Sequence, residues 1–198
     1  MAKILNLEFR RQVLHIFFGL AIVFSVEWGL IGLLELWIIF LIGLLLSIAS
    51  MKYRIPIIAD FLDYFERDKE KGKFPGQGPL FYVLGSLLAL ALFERNVALA
   101  SIIILALGDS ISHLVGRFYG RIKHPLNSSK FAEGAVVGVI FATIGAWLYV
   151  PLTYALVGSV FGMVAEGFEV KYGWAQVDDN LIIPIVSGVA MVLVSFVV

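Results

Sequence analysis

The chain has 198 residues, of which 60% are hydrophobic and 15% are charged, and its mean hydropathy is +0.94. A soluble domain has roughly 45–50% apolar and about 25% charged residues, so this composition predicts an integral membrane protein. The 15 basic and 15 acidic residues leave no formal net charge, which argues against nucleic acid as a partner. The absence of cysteine excludes disulfides and thiolate metal sites.

Seven apolar runs follow one another along the chain, each close to the roughly 20 residues that a helix needs to cross a bilayer core. We predict transmembrane helices at 12–28, 30–49, 79–94, 97–116, 134–150, 152–168 and 180–198. Pro151 breaks the run between the fifth and sixth helices, where a tight hairpin is expected. The chain is therefore predicted to be one all-α transmembrane domain, residues 1–198, built as a bundle of about seven helices.

The basic residues are distributed unevenly between the two predicted sides. Fourteen of the 15 lie in the N-terminal segment and in the loops 50–78, 117–133 and 169–179, and only Arg95 lies on the other side. The positive-inside rule therefore places the N-terminus and these loops in the cytoplasm and the C-terminus outside. We expect a multi-pass protein of a prokaryotic cell membrane, with its site on the cytoplasmic side.

The first predicted cytoplasmic loop contains a short amphipathic segment. Apolar residues recur there at helical spacing: Ile58, Phe61, Leu62 and Phe65. Charged residues take the opposite face: Asp60, Asp63, Glu66 and Arg67. The pattern predicts a helix lying on the membrane surface, and a helix packed on the cytoplasmic ends of the bundle is the alternative.

A polar stripe ends the fourth predicted span. Asp109, Ser112, His113 and Gly116 fall at i, i+3, i+4 and i+7, so they share one face of a helix. A carboxylate at that depth needs a cation, which either a metal ion or Arg117 would supply. Intramembrane ionisable residues usually mark functional sites, so we predict a site here; a buried Asp–Arg pair that joins two helices is the alternative.

The loop after this stripe is rich in glycine and in basic residues. Two glycine–arginine pairs are followed by two lysines: Gly116, Arg117, Gly120, Arg121, Lys123 and Lys130. Glycine lets backbone amides approach an anion, and Arg and Lys match phosphate oxygens, so the loop predicts a triphosphate site. Binding of anionic lipid headgroups is the alternative. Glu133, at the start of the fifth span, favours the phosphate site because a divalent ion held beside phosphate needs an acid.

A second acidic cluster, Asp178 and Asp179 followed by Asn180, precedes the seventh span. A helix cap needs only one of these side chains, so a carboxylate remains to hold a metal ion; simple capping is the alternative. His15, one turn into the first span, is predicted to line the same site.

Four further ionisable residues contribute less to the predicted site. His113 and His124 can assist, but their spacing does not indicate a transition-metal site. Glu166 and Glu169 are not included in the predicted site.

Taken together, the motifs resemble a known family. GDSISHLVGRFYGRIK, KFAEG and DDNLIIP, in that order, are similar to the CTP-dependent polyprenol kinase family, which includes dolichol and phytol kinases and is related to CTP:phosphatidate cytidylyltransferases. The opening Glu8-Phe9-Arg10-Arg11, with His15 and Gly19, resembles that family's N-terminal pattern. The resemblance implies a membrane enzyme that uses CTP and a divalent cation, Mg²⁺ or else Ca²⁺ or Mn²⁺, to phosphorylate a lipid alcohol.

Carried over by position, the resemblance places Asp109, Glu133 and the loop motif on the family's nucleotide-binding pattern, and Asp179, Asn180 and Pro184 on its C-terminal pattern. The residues predicted to bind CTP are Gly108, Ser112, Gly116, Arg117, Gly120, Arg121, Lys123, Ser129, Lys130, Gly134 and Asn180. This chain departs from the pattern at Phe131 and Ala135, where Ser or Thr is common in the family. Ser128 and Ser129 are candidates for the missing hydroxyl.

The predicted reaction is transfer of the γ-phosphoryl group of CTP to a long-chain isoprenoid alcohol such as dolichol, another polyprenol, geranylgeraniol or phytol. The predicted metal ligands are Asp109, Glu133, Asp178 and Asp179, and the predicted proton acceptor is Asp109, Asp179 or His15. The chain has no Walker A pattern, which excludes an ordinary P-loop kinase.

Two alternatives remain open at the level of sequence. A cytidylyltransferase would use the same CTP and metal to make a CDP-lipid. A small-solute transporter would use the polar stripe as a pathway, although polar residues then belong at the midplane as well. The expected partners are CTP, the alcohol and the lipid bilayer; the oligomeric state is open, with a homodimer as one option.

Overall fold

The structure, a computed structural model, describes residues 2–65, 74–168, 171–172 and 175–196. The helices are α1 (Ala2–Glu27), α2 (Leu33–Ser50), α3 (Pro56–Phe65), α4 (Gln77–Leu92), α5 (Arg95–Ile103), a π-helical segment (Ile104–Asp109), α6 (Ser110–Tyr119), α7 (Ala132–Ala146), α8 (Leu152–Gly167) and α9 (Asp179–Val194). Two strands of two residues each, β1 (Lys171–Tyr172) and β2 (Ala175–Gln176), pair antiparallel. The predicted helical architecture is confirmed, with this short hairpin as an addition.

Within the described residues, three helical stretches are long and apolar enough to cross a membrane: Leu7–Glu27, Leu33–Ser50 and Arg95–Tyr119. Four further apolar helices are shorter: Gln77–Leu92, Ala132–Ala146, Leu152–Gly167 and Asp179–Val194. These seven stretches follow the order of the seven predicted spans. That all seven cross the bilayer, and in which orientation, stays a prediction.

The stretch Arg95–Tyr119 forms the centre of the bundle. In its most apolar window 72% of the residues are buried, against 11% in Leu33–Ser50, so the former is a core helix and the latter a peripheral one. α1, α4, α7, α8 and α9 all pack around this central stretch. Small residues along it, such as Ala98 and Ala100, are fully buried, which allows neighbouring helices to approach closely.

The central stretch is not a continuous α-helix, because Ile104–Asp109 forms a π-helical segment between α5 and α6. The span predicted at 97–116 is helical throughout, but its middle part is π-helical rather than α-helical. A π-helical turn holds more residues than an α-helical turn and is often found at functional sites. Here it ends at Asp109, the acid that the sequence singles out.

Glycines on α7 let it touch the backbone of the central stretch. A Cβ atom at Gly134 would collide with the carbonyl oxygen of Ser112, and one at Gly138 would lie 2.8 Å from the carbonyl oxygen of Gly108. Only glycine fits such distances. This contact fixes the start of α7, and hence the end of the preceding loop, beside α6.

The opposite end of the bundle is closed by Arg95 at the start of α5. Its guanidinium donates hydrogen bonds to the carbonyl oxygens of Val26 (3.1 Å) and Glu27 (2.8 Å) and lies 3.4 Å from the Glu27 carboxylate. A cation at these last carbonyl groups of α1 satisfies groups that have no partner within the helix. Arg95, which is predicted to be the single basic residue on the outer side, thus joins α1 to α5.

The short helix α3 has the amphipathic character that its sequence predicts. Its four spaced apolar residues are half-buried, whereas Asp60 and Asp63 are exposed. The guanidinium of Arg10 lies 3.9 Å from the centroid of the Tyr64 ring, which connects α3 to α1. Glu66 and Arg67, the remaining residues of the pattern, lie outside the described residues. The position of α3 on a membrane surface stays a prediction.

Candidate functional site

Three ionisable side chains meet where the π-helical segment, α6 and α8 come together. Nε2 of His113 lies 3.4 Å from Oδ1 of Asp109 and 3.7 Å from Oε1 of Glu166. The side chains of Asp109 and Glu166 are only 8% and 1% exposed, whereas that of His113 is 34% exposed. Two acids therefore form the buried floor of the site and an imidazole forms part of its open rim.

Lys130 connects this group to α9. Its Nζ lies 2.8 Å from Oε1 of Glu166 and 3.0 Å from Oδ2 of Asp179, and it also donates to the backbone carbonyl of Glu166. Burial lowers the pKa of Lys130, but the carboxylates of Glu166, Asp179 and Asp109 outweigh that effect and hold the pKa above the ordinary value of lysine. Lys130 is thus a permanent cation between two acids from different helices.

His15 brings α1 to the same place. Its Nε2 lies 3.7 Å from Oδ2 of Asp109, on the carboxylate oxygen that His113 does not face. Its ring also meets the ring of Tyr82 on α4 edge to face, with centroids 4.4 Å apart. Asp109 is therefore flanked by an imidazole on each side.

The contacts from both histidines to Asp109 are longer than ordinary hydrogen bonds, which are 2.7–3.2 Å long for an N–H donor. The carboxylate therefore keeps lone pairs for a further cation. Asp109, His113 and Glu166 each present a ligand atom, and these atoms lie within 4.8 Å of one another. Two carboxylate oxygens and one imidazole nitrogen suit Mn²⁺, and with added water or phosphate oxygens they also suit Mg²⁺.

The loop 120–131 holds Lys130 through its own internal contacts. Oδ1 of the buried Asn127 accepts hydrogen bonds from the backbone N–H (2.9 Å) and the hydroxyl (2.6 Å) of Ser129. The backbone N–H of His124 donates to the carbonyl of Lys130 (3.1 Å), and the His124 ring packs so closely on Gly167 that a Cβ atom there would collide with it. The loop thus rests on the end of α8, beside Glu166.

Glu133 lies apart from the acid cluster. Its carboxylate accepts hydrogen bonds from the backbone N–H groups of Arg121 (3.0 Å) and Ile122 (3.0 Å), at the beginning of the same loop. Oδ1 of Asp178 accepts from the backbone N–H of Asn180 (3.0 Å), as a helix cap does. Of the four predicted metal ligands, Asp109 belongs to the close group, Asp179 reaches it through Lys130, and Glu133 and Asp178 make these backbone contacts instead.

The other basic residues of the loop lie at its surface. Arg117, Arg121 and Lys123 are exposed, and Nζ of Lys123 lies 4.1 Å from the centroid of the Phe131 ring. Phe131, where the family pattern usually has a hydroxyl residue, thus contacts a neighbouring cation.

Several of the predicted nucleotide-binding residues lie in helix contacts. Gly108, Ser112, Gly116 and Gly134 are buried where α7 packs on the central stretch. Gly120 packs against Phe131, and Ser129 is bonded to Asn127. Asn180 is buried at the start of α9, with its side-chain amide 3.4 Å from the carbonyl of Gly78. Among the predicted residues with charged side chains, Arg117, Arg121 and Lys123 are exposed, and Lys130 is directed towards the acids.

Two members of the cluster, His113 and Glu166, are absent from the predicted site residues. His113 is the i+4 neighbour of Asp109, which already places the two on one face. Glu166 stands near the end of the otherwise apolar helix α8, and an acid in such a helix is itself a signal of a site. Glu169, considered beside it, lies outside the described residues.

No family model matches the chain, and no solved structure matches it. The chain is 30% identical over 183 residues to an uncharacterized protein of Methanocaldococcus jannaschii, with 90% of each chain covered. It is 28% identical over 140 residues to CTP-dependent diacylglycerol kinase 1 of Eremothecium gossypii, covering 58% of this chain and 43% of that one. It is 29% identical over 131 residues to phytol kinase 1, chloroplastic, of Arabidopsis thaliana, covering 59% of this chain and 43% of that one. The chain thus spans less than half the length of each of these two kinases.

Proposed function

The chain belongs to the CTP-dependent polyprenol and lipid kinase family, and from this premise we propose that it transfers the γ-phosphoryl group of CTP to the hydroxyl group of a membrane lipid alcohol. The observation that carries the proposal is the meeting of Asp109 with Glu166, and of Glu166 and Asp179 with Lys130, at one end of an apolar bundle. Phosphoryl transfer asks mainly for positioning and for neutralisation of charge, and this group of side chains offers both.

The triphosphate is proposed to bind between the acid cluster and the loop 120–131. Lys130 is a partly buried cation in contact with two of the acids, so we assign it to the phosphate oxygens nearest the reacting phosphorus. Arg117, Arg121 and Lys123 are exposed on the same part of the chain and are assigned to the remaining phosphate charge. Glu133 acts indirectly, by fixing the backbone of this loop.

A divalent cation, Mg²⁺ in the first place, would be held by Asp109, Glu166 and His113, with Asp179 next to them. Bound there, it would neutralise phosphate charge. It would also replace Lys130 as the cation beside Glu166, so that Lys130 could contact the nucleotide. In the transfer itself, the alcohol oxygen forms a bond to the γ-phosphorus while the bond from that phosphorus to the β,γ-bridging oxygen breaks, so that CDP leaves. The alcohol proton passes to the His15–Asp109 pair, whose atoms lie 3.7 Å apart.

The acceptor is proposed to be a long-chain isoprenoid alcohol: dolichol or another polyprenol, geranylgeraniol or phytol. Relatives named for phytol and for diacylglycerol support a lipid alcohol as the class of acceptor. The apolar surface of the peripheral helices, including the exposed Leu34 and Leu45 of α2, suits a bilayer that holds such a chain beside the site.

Two preparations of CTP, each labelled at a different phosphorus, test the proposal. Purified protein in lipid micelles is incubated with each candidate alcohol and with CTP labelled on either the α- or the γ-phosphorus. The kinase places only the γ-label in the lipid product. A lipid that carries the α-label, with release of pyrophosphate, would show a cytidylyltransferase instead. Solute flux through proteoliposomes without CTP consumption would show a transporter.

Single cysteines test the proposed topology of seven spans with a cytoplasmic N-terminus in a prokaryotic cell membrane. The natural chain has no cysteine, so each introduced one reports alone. We expect Leu126→Cys, in the loop 120–131, to be labelled by a membrane-impermeant maleimide only after the cells are opened. Trp147→Cys, at the opposite end of α7, should be labelled in intact cells; the reverse pattern would invert the topology.

A further inference from the structure

Tyr82, on α4, contacts this site but belongs neither to the sequence motifs nor to the acid cluster. We propose that its hydroxyl group and Nε2 of His15 together bind the hydroxyl group of the acceptor alcohol, which makes Tyr82 a substrate-binding residue. This inference rests on the proposed function and names the place of the second substrate within the same site.

The Tyr82 hydroxyl is buried without a partner. The residue is 3% exposed, and neither its hydroxyl oxygen nor Nε2 of His15 has a hydrogen-bond partner within residues 2–65, 74–168 and 175–196. Buried polar groups are nearly always hydrogen-bonded, because leaving one unsatisfied forfeits the bonds it made to water. The two groups belong to rings that are in edge-to-face contact, which points to one ligand hydroxyl that bonds to both.

The two side chains are held together by three helices. The rings of His15 and Tyr82 meet at 4.4 Å and 78°, and His15 in turn lies 3.7 Å from Asp109. Gly19, one turn after His15 on α1, faces the Tyr82 hydroxyl so closely that a Cβ atom there would collide with it. Glycine at this position of the N-terminal motif therefore lets the tyrosine hydroxyl lie against α1, one turn from the histidine whose ring Tyr82 contacts.

The chemistry of the pair matches an alcohol. An alcohol group donates one hydrogen bond and accepts others. The Tyr82 hydroxyl can donate to the alcohol oxygen, and a neutral His15 can accept the alcohol proton at Nε2. A phosphate group, by contrast, calls for several donors and cations, and these lie on the other side of Asp109, where Lys130 contacts Glu166 and Asp179.

This division gives each substrate its own side of Asp109. His113, Glu166 and Lys130 face the nucleotide, whereas His15 and Tyr82 face the alcohol. Both places adjoin Asp109, so an alcohol held by His15 can approach the γ-phosphorus from the side opposite the bond that breaks, as an in-line displacement needs. The His15 side chain is 20% exposed at the edge of the core, while its Nε2 and the Tyr82 hydroxyl oxygen are buried and therefore shielded from water.

The test is the variant Tyr82→Phe, which removes the hydroxyl and keeps the ring. Binding of tritiated phytol in mixed micelles should weaken roughly three- to tenfold, the loss expected for one neutral hydrogen bond. KM for phytol should rise by a similar factor, while CTP binding stays unchanged. Phytane, the hydrocarbon of the same skeleton, should bind the natural protein and the variant equally, because it has no hydroxyl to lose.

Tyr154→Phe is the matched control, since Tyr154 packs against the core near the start of α8, far along that helix from Glu166. It should leave phytol binding, KM and CTP binding unchanged. Equal binding of phytol by the natural protein and by Tyr82→Phe would overturn the inference, as would an equal loss for phytol and phytane. A natural protein that binds phytol but never transfers the γ-label would refute the kinase proposal, while the binding ratio would still decide the role of Tyr82.

Discussion

Nζ of Lys130 lies 2.8 Å from Oε1 of Glu166, although 36 residues separate them in the chain. One is carried by a loop and the other by an apolar helix, and Asp179 of a third element shares the same ammonium group. A buried carboxylate that is 1% exposed needs such a cation. The loop that carries Lys130 must therefore lie against α8 and α9 for the two carboxylates to be stable in their charged form.

Replacing Lys130 by methionine should destabilise the protein, because it leaves the buried Glu166 carboxylate without its cation. Loss of one partner from a buried ion pair costs about 3–5 kcal/mol. The loss is measured as a fall in the unfolding midpoint of the detergent-solubilised protein. The double variant Lys130→Met, Glu166→Gln should recover much of the stability but no kinase activity. Lys123→Met, at an exposed cation, should change the midpoint far less; an equal loss would contradict this account.

The contribution of Lys130 should be insensitive to pH across the physiological range. Its pKa is raised in the folded protein, so its stabilising effect is fully present below the unfolded value of about 10.4 and is lost only as pH rises through the folded value. Unfolding midpoints of the natural protein and of Lys130→Met are compared between pH 7 and 9. We expect a constant difference; a difference that shrinks towards pH 9 would show that Lys130 loses its proton in this range.

The two glutamates nearest the loop should behave differently towards metal. Glu166→Gln removes a proposed ligand and should weaken Mn²⁺ binding at least about tenfold, measured by electron paramagnetic resonance without CTP. Glu133→Gln is the matched control, because its carboxylate binds loop amides. It should leave Mn²⁺ binding intact and make the loop easier to cleave with trypsin. If Glu133→Gln abolished Mn²⁺ binding and Glu166→Gln did not, the metal would belong at Glu133.

The contact of α7 with the central stretch should tolerate no side chain. Gly134→Ala places a methyl group against the backbone carbonyl of Ser112, so we expect lower stability and loss of transfer activity. Gly78→Ala, where a Cβ atom meets nothing within 4 Å, is the control and should be nearly neutral. Both are measured by unfolding midpoint and by γ-label transfer. Full activity in Gly134→Ala would mean that α7 can shift without disturbing the site.

Much of the helical architecture follows from the length and order of the apolar runs, since a bilayer restricts the chain to helices of about that length. Asp109 was predictable because a charge at that depth is costly. Glu166 has the same signal but no motif around it, and only the packing of α8 against the π-helical segment reveals its neighbours. Glu133 shows the opposite case: a motif acid whose carboxylate binds backbone amides, which no spacing rule indicates.

The π-helical segment Ile104–Asp109 decides which way the following helix faces. Each residue turns an α-helix by about 100°, so an added residue in a wide turn rotates everything after it relative to everything before it. The apolar face of α5 and the polar face of α6 therefore cannot be drawn on one continuous helical wheel. Deleting a single apolar residue here would keep the composition and the span length almost unchanged. It would nevertheless rotate Asp109 away from His15, and His113 away from Glu166.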